Sequence, residues 1–230
     1  MKKLLGILGG MGPRASAEFI NTIYNLCTDP EEQAFPGCVL YSDPSIPDRT
    51  AAILNGEEAI VLQRLTQALE VLCHVPVDKI VIACVTSHYF VPRLPPTLRE
   101  KVISLVDIIF DEVMNAKRRH LLLCTNGVRQ VRLFENDRRW ELIQQWIVFP
   151  DHEDQRMIHD LIYKLKTNAF DGSVLDAFDS LISRYEIGSF VVGCTELHGL
   201  AKRLKTSAGR PPYNFIDPLF SIAKNIKQYI

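Results

Sequence analysis

Short apolar runs alternate with longer amphipathic stretches along the whole chain. The apolar runs predict strands at residues 3–8, 38–42, 79–84, 120–124, 145–149 and 189–194. Apolar residues at helical spacing predict helices at residues 15–26, 57–73, 104–116, 153–166, 173–185 and 218–228. Strands that are apolar throughout are buried on both faces, which is typical of a parallel sheet covered by helices. The pattern therefore predicts an α/β protein.

Two of the predicted strands end in nearly the same sequence motif. Residues 81–88 and 191–198 each contain an apolar run, then a cysteine (Cys84, Cys194), then a histidine four residues later. Ligands of open α/β sheets bind outside the carboxyl ends of the strands, so both cysteines lie where a site is expected. A single buried cysteine is usually inert packing. Two in matching contexts suggest a pair of acid/base groups that face each other across a cleft, as in an enzyme.

The repeated motif also divides the chain into two halves. Three prolines within residues 91–96 and the polar segment 117–119 bracket a junction between them. We expect an N-terminal α/β lobe over residues 1–100, joined by the C-terminal helix 213–230. The second α/β lobe is expected over residues 101–212.

Composition and charge exclude several classes of protein. The 230 residues carry 26 basic and 27 acidic side chains, a net charge of -1, so no overall field recruits nucleic acid or a membrane surface. No apolar stretch approaches the length of a membrane span, and glycines interrupt the first apolar run too early for a signal peptide. A cytoplasmic location is expected. The six cysteines should then be reduced, and none has the CxxC spacing of a metal site.

A glycine-rich turn follows the first predicted strand. Gly9-Gly10-Met11-Gly12-Pro13 precedes a predicted helix, so backbone N–H groups at Met11 and Gly12 are placed to face an anion. The spacing fits neither the dinucleotide fingerprint nor the P-loop. Two interpretations remain, a tight turn without a ligand and a cradle for a carboxylate.

Two further segments follow strands at the same expected edge. Arg49 offers a planar fork suited to a carboxylate, although a lone arginine is more often part of a surface salt bridge. Thr125 and Asn126 offer a hydroxyl and an amide after the fourth strand. Together with the cysteines, these groups suggest a site for a small carboxylate-bearing molecule.

Taken together, the motifs resemble those of the aspartate/glutamate racemase superfamily, in particular its aspartate racemase and broad amino-acid racemase branch. The resemblance is carried in order by Gly9-Gly10-Met11-Gly12-Pro13, by Ile46-Pro47-Asp48-Arg49-Thr50, by Cys84-x-Thr86-x-His88, by Gly193-Cys194-Thr195-Glu196-Leu197 and by Asp217-Pro218. It spans essentially the whole chain.

This resemblance implies two similar α/β lobes, each a mainly parallel sheet flanked by helices, with the active site in the cleft between them. It also implies a homodimer and an isomerase that racemises a small amino-acid substrate without any cofactor or metal. Aspartate is the expected substrate, with glutamate or a broader range as variants. Cys84 and Cys194 would be the acid/base pair, one on each face of the substrate's α-carbon. The resemblance places the substrate-binding groups at Met11, Gly12, Arg49, Thr86, Ser87, Thr125, Asn126, Lys166, Thr195 and Glu196.

The chain departs from the family pattern at one motif. The first cysteine of the family is usually followed by Asn-Thr-Ala-His, whereas Val85 and Ser87 occupy the second and fourth places of this motif. Loss of the asparagine removes an amide that can bind the substrate, so we expect a less strict preference for aspartate. Lys166, rather than Lys164, is favoured as the lysine that holds an acidic side chain.

Each remaining candidate has a structural alternative. His88 and His198 could tune the pKa of the neighbouring cysteine or could simply pack, and Glu196 could cap a helix or orient His198. Other reactions of the superfamily are hydantoin racemisation, decarboxylation of arylmalonates and maleate isomerisation. The decarboxylases keep only one of the cysteines, so the presence of both favours racemisation. Outside the superfamily, a cysteine hydrolase and a non-catalytic binding protein are the competing interpretations.

Overall fold

The computed structural model describes residues 3–167, 172–206 and 213–230. In these residues the strands are β1 (Leu4–Gly9), β2 (Gly37–Ser42), β3 (Lys79–Ile82), β4 (His120–Cys124), β5 (Ile147–Val148), β6 (Ser189–Gly193) and β7 (Asn214–Ile216). The helices are α1 (Pro13–Asn25), α2 (Arg49–Asn55), α3 (Glu58–Cys73), α4 (Pro96–Arg99), α5 (Leu105–Ala116), α6 (Asn126–Gln130), α7 (Trp140–Ile143), α8 (His152–Lys166), α9 (Gly172–Arg184), α10 (Leu197–Thr206) and α11 (Pro218–Lys224). Among the helices so described, none is long and apolar enough to cross a membrane.

The strands form two parallel sheets, so the predicted α/β class is confirmed. The first sheet has the order β2-β1-β3 and the second the order β5-β4-β6-β7. In the first sheet β2 pairs with one side of β1 and β3 with the other side. In the second sheet β5 pairs with one side of β4 and β6 with the other. This reversal opens a crevice at the carboxyl ends of β1 and β3, and an equivalent one at those of β4 and β6. Cys84 follows β3, and Cys194 follows β6 directly.

Apolar packing joins the two sheets. One buried cluster contains Leu5 and Ile7 of β1, Leu122 of β4 and Val191 of β6, and two further clusters lie on the outer faces. Helix α11 packs against both α1 and α5. Each large aliphatic side chain buried in this way contributes roughly 1.5–3 kcal/mol to folding. The shared core fixes the positions of the two crevices relative to each other.

Several predicted elements differ from the observed ones. The expected strand at 145–149 shortens to two residues, and the last helix ends at Lys224 and continues only as a separate 3-10 turn, Ile226–Gln228. β1 begins and ends one residue later than predicted, and β3 ends two residues earlier, so Cys84 lies beyond β3. The sequence pattern did not predict β7 or the helices α2, α4, α6, α7 and α10. Most of these are four to seven residues long, too short for an apolar period to emerge.

Candidate active site

Both repeated cysteines line one small cavity between the two sheets. The cavity is surrounded by Met11, Asp48, Arg49, Thr50, Cys84, Thr86, Thr125, Lys166, Cys194 and Glu196. Its free volume is about 10 Å³, which is room for about one water molecule. Side chains or lobes must therefore move apart before any molecule larger than water can enter.

Equivalent turns hold the two cysteines. Cys84 precedes the 3-10 helix Thr86–Tyr89, and Cys194 precedes α10, and each cysteine is 5% exposed. Thr195, beside Cys194, donates a hydrogen bond of 3.0 Å to the carbonyl of Ala83, which precedes Cys84. The two turns are thus bonded to each other directly. The duplicated motif of the sequence corresponds to two halves of a single cavity.

A carboxylate lies against one of the two sulfurs. The thiol of Cys194 donates to Glu196 Oε2 at 2.7 Å. Burial, and then the negative charge of Glu196, raise the pKa of the Cys194 thiol well above its usual value. Cys194 is therefore held as a protonated thiol, the form that can donate a proton.

A cation lies beside the other sulfur. Burial opposes the charge of Arg49, but the neighbouring Cys84 and Asp48 outweigh it and raise the pKa of this guanidinium. Its terminal nitrogens donate to the carbonyls of Met11, at 2.6 Å, and Pro47, at 3.0 Å, while its buried Nε has no partner. Arg49 is thus a fixed positive charge in the cavity wall. The guanidinium of Arg49 and the sulfur of Cys84 are therefore neighbours in the cavity wall.

An ion pair connects α8 to the segment before α2. Asp48 accepts hydrogen bonds from Tyr163 Oη at 2.7 Å and from Lys166 Nζ at 3.0 Å. Burial alone raises the pKa of Asp48, but the Ala51 amide, the charge of Lys166 and the Tyr163 hydroxyl together lower it to about 2. Lys166 Nζ also lies 3.8 Å from the centre of the Tyr163 ring. These contacts, which we call the Asp48 clasp, hold the two lobes together at the edge of the cavity.

The turn after β1 supports Glu196 as well as Arg49. Gly10 adopts φ 93° with its Cα against the backbone of Asp43, where a side chain would be both strained and obstructed. At Gly12 an added Cβ would lie 2.7 Å from Glu196 Oε1. That oxygen is buried and has no partner. The glycine at position 12 therefore leaves room for the carboxylate beside Cys194.

Three predicted binding residues, together with Gly12, are near the cavity without lining it. Ser87 donates to the sulfur of Met11 at 3.3 Å, and Thr195 bonds to Ala83. The side-chain oxygen of Asn126 accepts a hydrogen bond from Gln155 at 3.1 Å, and the backbone N–H of Asn126 donates to His159. These groups position the wall of the site in this closed arrangement.

Both candidate histidines are engaged by the surrounding framework. His88 is buried, its Nε2 accepts from the Leu105 amide and its Nδ1 contacts the Cys84 carbonyl, so Nδ1 carries the proton. Burial lowers the pKa of His88, which agrees with a neutral ring. His198 pairs with the carboxylate of Asp217 at 2.5 Å and with the hydroxyl of Thr22 at 2.7 Å. Each ring therefore uses both nitrogens in bonds other than to a cysteine sulfur.

The sequence analysis missed three residues of the site. Asp48 and Thr50 line the cavity on either side of Arg49, and Tyr163 bonds to Asp48. A Cβ added at Gly127 would lie 2.7 Å from the hydroxyl oxygen of Thr50, so α2 and α6 pack closely. A signal for Asp48 was present, because an aspartate before a helix is a preferred N-cap, and it caps Ala51 at 2.9 Å.

Larger clefts elsewhere lack this convergence of nucleophilic and charged groups. One of about 430 Å³ is lined by residues that include Glu112, Phe220 and Lys224, none of which was a candidate. Within the described ranges, no group of three or more His, Cys, Asp or Glu side chains is arranged to hold a metal ion. The cavity between the cysteines is therefore the candidate active site.

Comparisons with known proteins agree on one family. The sequence profile described as Asp/Glu/Hydantoin racemase matches residues 8–224. The broad specificity amino-acid racemase RacX of Bacillus subtilis (strain 168) is 23% identical over 176 residues, which cover 71% of each chain. The aspartate racemase of Picrophilus torridus has a TM-score of 0.82 at 23% identity, over 99% of this chain and 94% of that one. PH1733, an aspartate racemase homologue from Pyrococcus horikoshii OT3, has a TM-score of 0.66 at 19% identity, over 100% and 99%. At these identities the structural likenesses show a shared fold.

Proposed function

The chain belongs to the Asp/Glu/Hydantoin racemase family, and from this premise we propose that it is an amino-acid racemase that acts on aspartate without pyridoxal phosphate or a metal ion. Membership of a racemase family implies an isomerase. The observation that carries the finer proposal is the single cavity lined by Cys84 and Cys194 together with charged groups of both signs.

The charges of the cavity support an amino acid as the substrate. Arg49 and Lys166 are cations that can receive carboxylates, and Asp48 and Glu196 are anions that can receive an ammonium group. A zwitterion with an acidic side chain presents one ammonium and two carboxylates. A neutral hydantoin ring would bring no charged group to Arg49 Nε and Glu196 Oε1, which are buried without hydrogen-bond partners, and leaving them so is costly. The arrangement therefore favours an acidic amino acid over a hydantoin.

The reaction requires a proton to leave one face of the α-carbon and another to arrive on the opposite face. We assign the thiolate to Cys84, beside the cation Arg49, and the thiol to Cys194, beside the anion Glu196. In one direction Cys84 removes the α-proton and Cys194 returns one. A single base would mostly restore the starting enantiomer, so both sulfurs are needed.

The carbanion formed between these two steps has no cofactor to delocalise it. Stabilisation must come from preorganised donors and cations around the substrate's carboxylate. Thr86 and Thr125 lie in the cavity wall, with their hydroxyl oxygens 3.2 Å apart. Arg49 lies beside Cys84. These three groups are the candidates for that role.

The proposal is tested by following the α-proton in deuterated water. The purified protein, without added cofactor, is incubated with L-aspartate, L-glutamate, L-alanine or one enantiomer of a 5-substituted hydantoin, and the products are separated on a chiral column. We expect D-aspartate to form with deuterium at Cα. Labelling of aspartate without inversion, or reaction of the hydantoin alone, would reject the proposal.

A further inference from the structure

We propose that Glu196 is the proton relay that returns Cys194 to its starting protonation state after each turnover. This inference rests on the proposed two-cysteine racemase. It concerns a step that follows the chemistry at the α-carbon, and it gives Glu196 a function beyond contact with the substrate.

The need for such a relay follows from the proton count. When Cys84 takes the α-proton and Cys194 gives one, the enzyme ends with a thiol at Cys84 and a thiolate at Cys194. Another substrate of the same hand cannot react until Cys194 regains a proton and Cys84 loses one. Because each of these two cysteines is only 5% exposed as a residue, bulk water has little access to the sulfurs.

Glu196 is placed between the Cys194 sulfur and solvent. Its Oε2 already accepts the Cys194 S–H bond at 2.7 Å, which is a suitable distance for proton transfer. Its Oε1 is buried without a hydrogen-bond partner. The same side chain that lines the cavity also lines a second, larger cleft of about 460 Å³ between α1 and α10.

The second cleft, which we call the α1–α10 cleft, is suited to hold water. Its lining includes apolar residues such as Leu165 and Leu200. Besides Glu196 it also includes five polar residues, all of them at least partly exposed: Arg14, Glu18, Asn21, Lys202 and Arg203. Its volume exceeds that of the catalytic cavity many times over. A carboxylate in the common wall of the two spaces can exchange protons with each of them.

The transfer balances without any further reactant. After turnover the Glu196 carboxylate takes a proton from water in the α1–α10 cleft and passes it to the Cys194 thiolate, so that an O–H bond breaks and an S–H bond forms. Glu196 is then again the carboxylate that accepts the Cys194 S–H bond. For the opposite enantiomer the same path runs backward, and Glu196 carries the proton of the Cys194 thiol to that water. The proton on Cys84 passes to solvent once the product has departed, so the solvent regains the proton that it gave to Cys194.

Replacement Glu196→Gln separates this relay from the chemical step. The amide keeps an oxygen that can accept the S–H bond, but it cannot carry a proton. We expect kcat for L-aspartate to fall at least ten-fold, while kcat/KM changes less than three-fold because free enzyme has time to reset between encounters. KM then falls in proportion to kcat. Glu18→Gln is the matched control, since it removes a carboxylate of the same cleft that pairs with Lys202, and its kcat should match wild type.

Exchange at equilibrium provides the second measurement. In a racemic mixture the two enantiomers react alternately on the enzyme. Each enantiomer leaves the cysteines in the protonation state that the other requires, so transfer of ¹³C label from L- to D-aspartate needs no relay. We expect this exchange in Glu196→Gln to stay within two-fold of wild type. If kcat, kcat/KM and exchange fall together, Glu196 acts in the chemical step or in folding, and the relay is rejected. An unchanged kcat rejects it as well. A wild-type protein that racemises no amino acid instead rejects the proposed function, and the relay with it.

Discussion

The hydroxyl of Thr195 donates a hydrogen bond of 3.0 Å to the carbonyl of Ala83, although 112 positions separate the two residues along the chain. Each residue is the neighbour of a repeated cysteine. This one bond brings the carboxyl ends of β3 and β6 together. It explains how two similar motifs in separate sheets come to line one cavity.

Replacement of either repeated cysteine tests the assignment of the acid/base pair. We expect Cys84→Ser and Cys194→Ser each to lower racemisation of aspartate at least about 100-fold, because a general acid or base typically contributes that much or more. Chiral chromatography measures the rate. Each single variant can still wash out the α-proton of one enantiomer, since one thiol remains.

Cys124→Ser is the matched control for these variants. Cys124 is a fully buried cysteine at the end of β4 that does not line the cavity, and burial raises the pKa of its thiol to about 12. The change should lower the melting temperature but leave the activity of the folded protein near that of wild type. If Cys84→Ser or Cys194→Ser behaves like this control, the two-base mechanism is wrong.

The alternation of strands and helices, and the turns that carry the cysteines, follow from the sequence because each is encoded locally. An apolar run of five residues or more, or an arginine after a strand, can be recognised in the sequence without knowledge of distant positions. Asp48 and Tyr163 are different, because their contact joins positions 115 residues apart. Strand β7 was missed for a similar reason, since three residues become a strand only by pairing with β6.

The histidines show why a motif alone does not assign a role. Cys-x-x-x-His occurs twice, and the spacing left open whether each ring adjusts its cysteine or simply packs. His198 instead pairs with Asp217 and Thr22, which come from the two ends of the chain. Such partners are set by the packing of α1, α10 and α11, which the sequence does not reveal.

The pH dependence of racemisation should reflect the contact between Cys194 and Glu196. Burial and the charge of Glu196 raise the pKa of Cys194, so this thiol keeps its proton as the solution becomes alkaline. Activity is lost only when the pH rises through that raised pKa. In Glu196→Gln the charge is gone, and we expect the alkaline limb of the kcat/KM profile for aspartate to move to lower pH. An alkaline limb in the same place would show that the carboxylate does not act on Cys194, and Glu18→Gln should leave the limb unmoved.

Substitution at Gly12 tests the place of Glu196 without removing its charge. The backbone there has φ -99°, which alanine adopts freely, but the new Cβ would lie 2.7 Å from Glu196 Oε1. We expect Gly12→Ala to displace the carboxylate and to lower kcat for aspartate at least ten-fold. Gly199→Ala is the control, because its Cβ would have 4.0 Å to the nearest neighbour, Glu18, and alanine favours the helix by about 1 kcal/mol. Equal activity of the two variants would contradict the crowding argument.

Arg49→Lys measures the contribution of the guanidinium. Lysine cannot donate at once to the carbonyls of Met11 and Pro47 and also remain beside Cys84. Loss of one charge-assisted hydrogen bond costs ~1.5 to 3 kcal/mol, so kcat/KM for aspartate should fall at least ten-fold. If Arg49 binds the acidic side chain of the substrate, kcat/KM should fall much less for alanine than for aspartate. Equal losses on both amino acids would place Arg49 at the common α-carboxylate or at Cys84, and no loss on either would remove it from the site.

The Asp48 clasp predicts a stability that depends on pH. Asp48→Asn keeps an N-cap for α2, because asparagine caps as well as aspartate, but it removes the charge that pairs with Lys166. Since both side chains are partly exposed, we expect this change to cost about 1 kcal/mol at pH 7, in line with an ion pair near the surface. Asp48→Ala should cost about 1 kcal/mol more, because it removes the cap as well.

The direction of the pH effect follows from the pKa of Asp48, which folding lowers from 3.8 to about 2. A carboxyl with a lowered pKa adds stability above its unfolded pKa and loses this stability as the pH falls through its folded pKa. The difference in unfolding free energy between wild type and Asp48→Asn should therefore be constant above pH 5 and shrink between pH 3.8 and pH 2. Urea unfolding followed by circular dichroism measures it at each pH. A difference that stays the same down to pH 2 would show that Asp48 stabilises the fold by packing, because a contribution from the Lys166 pair must vanish once the carboxylate is protonated.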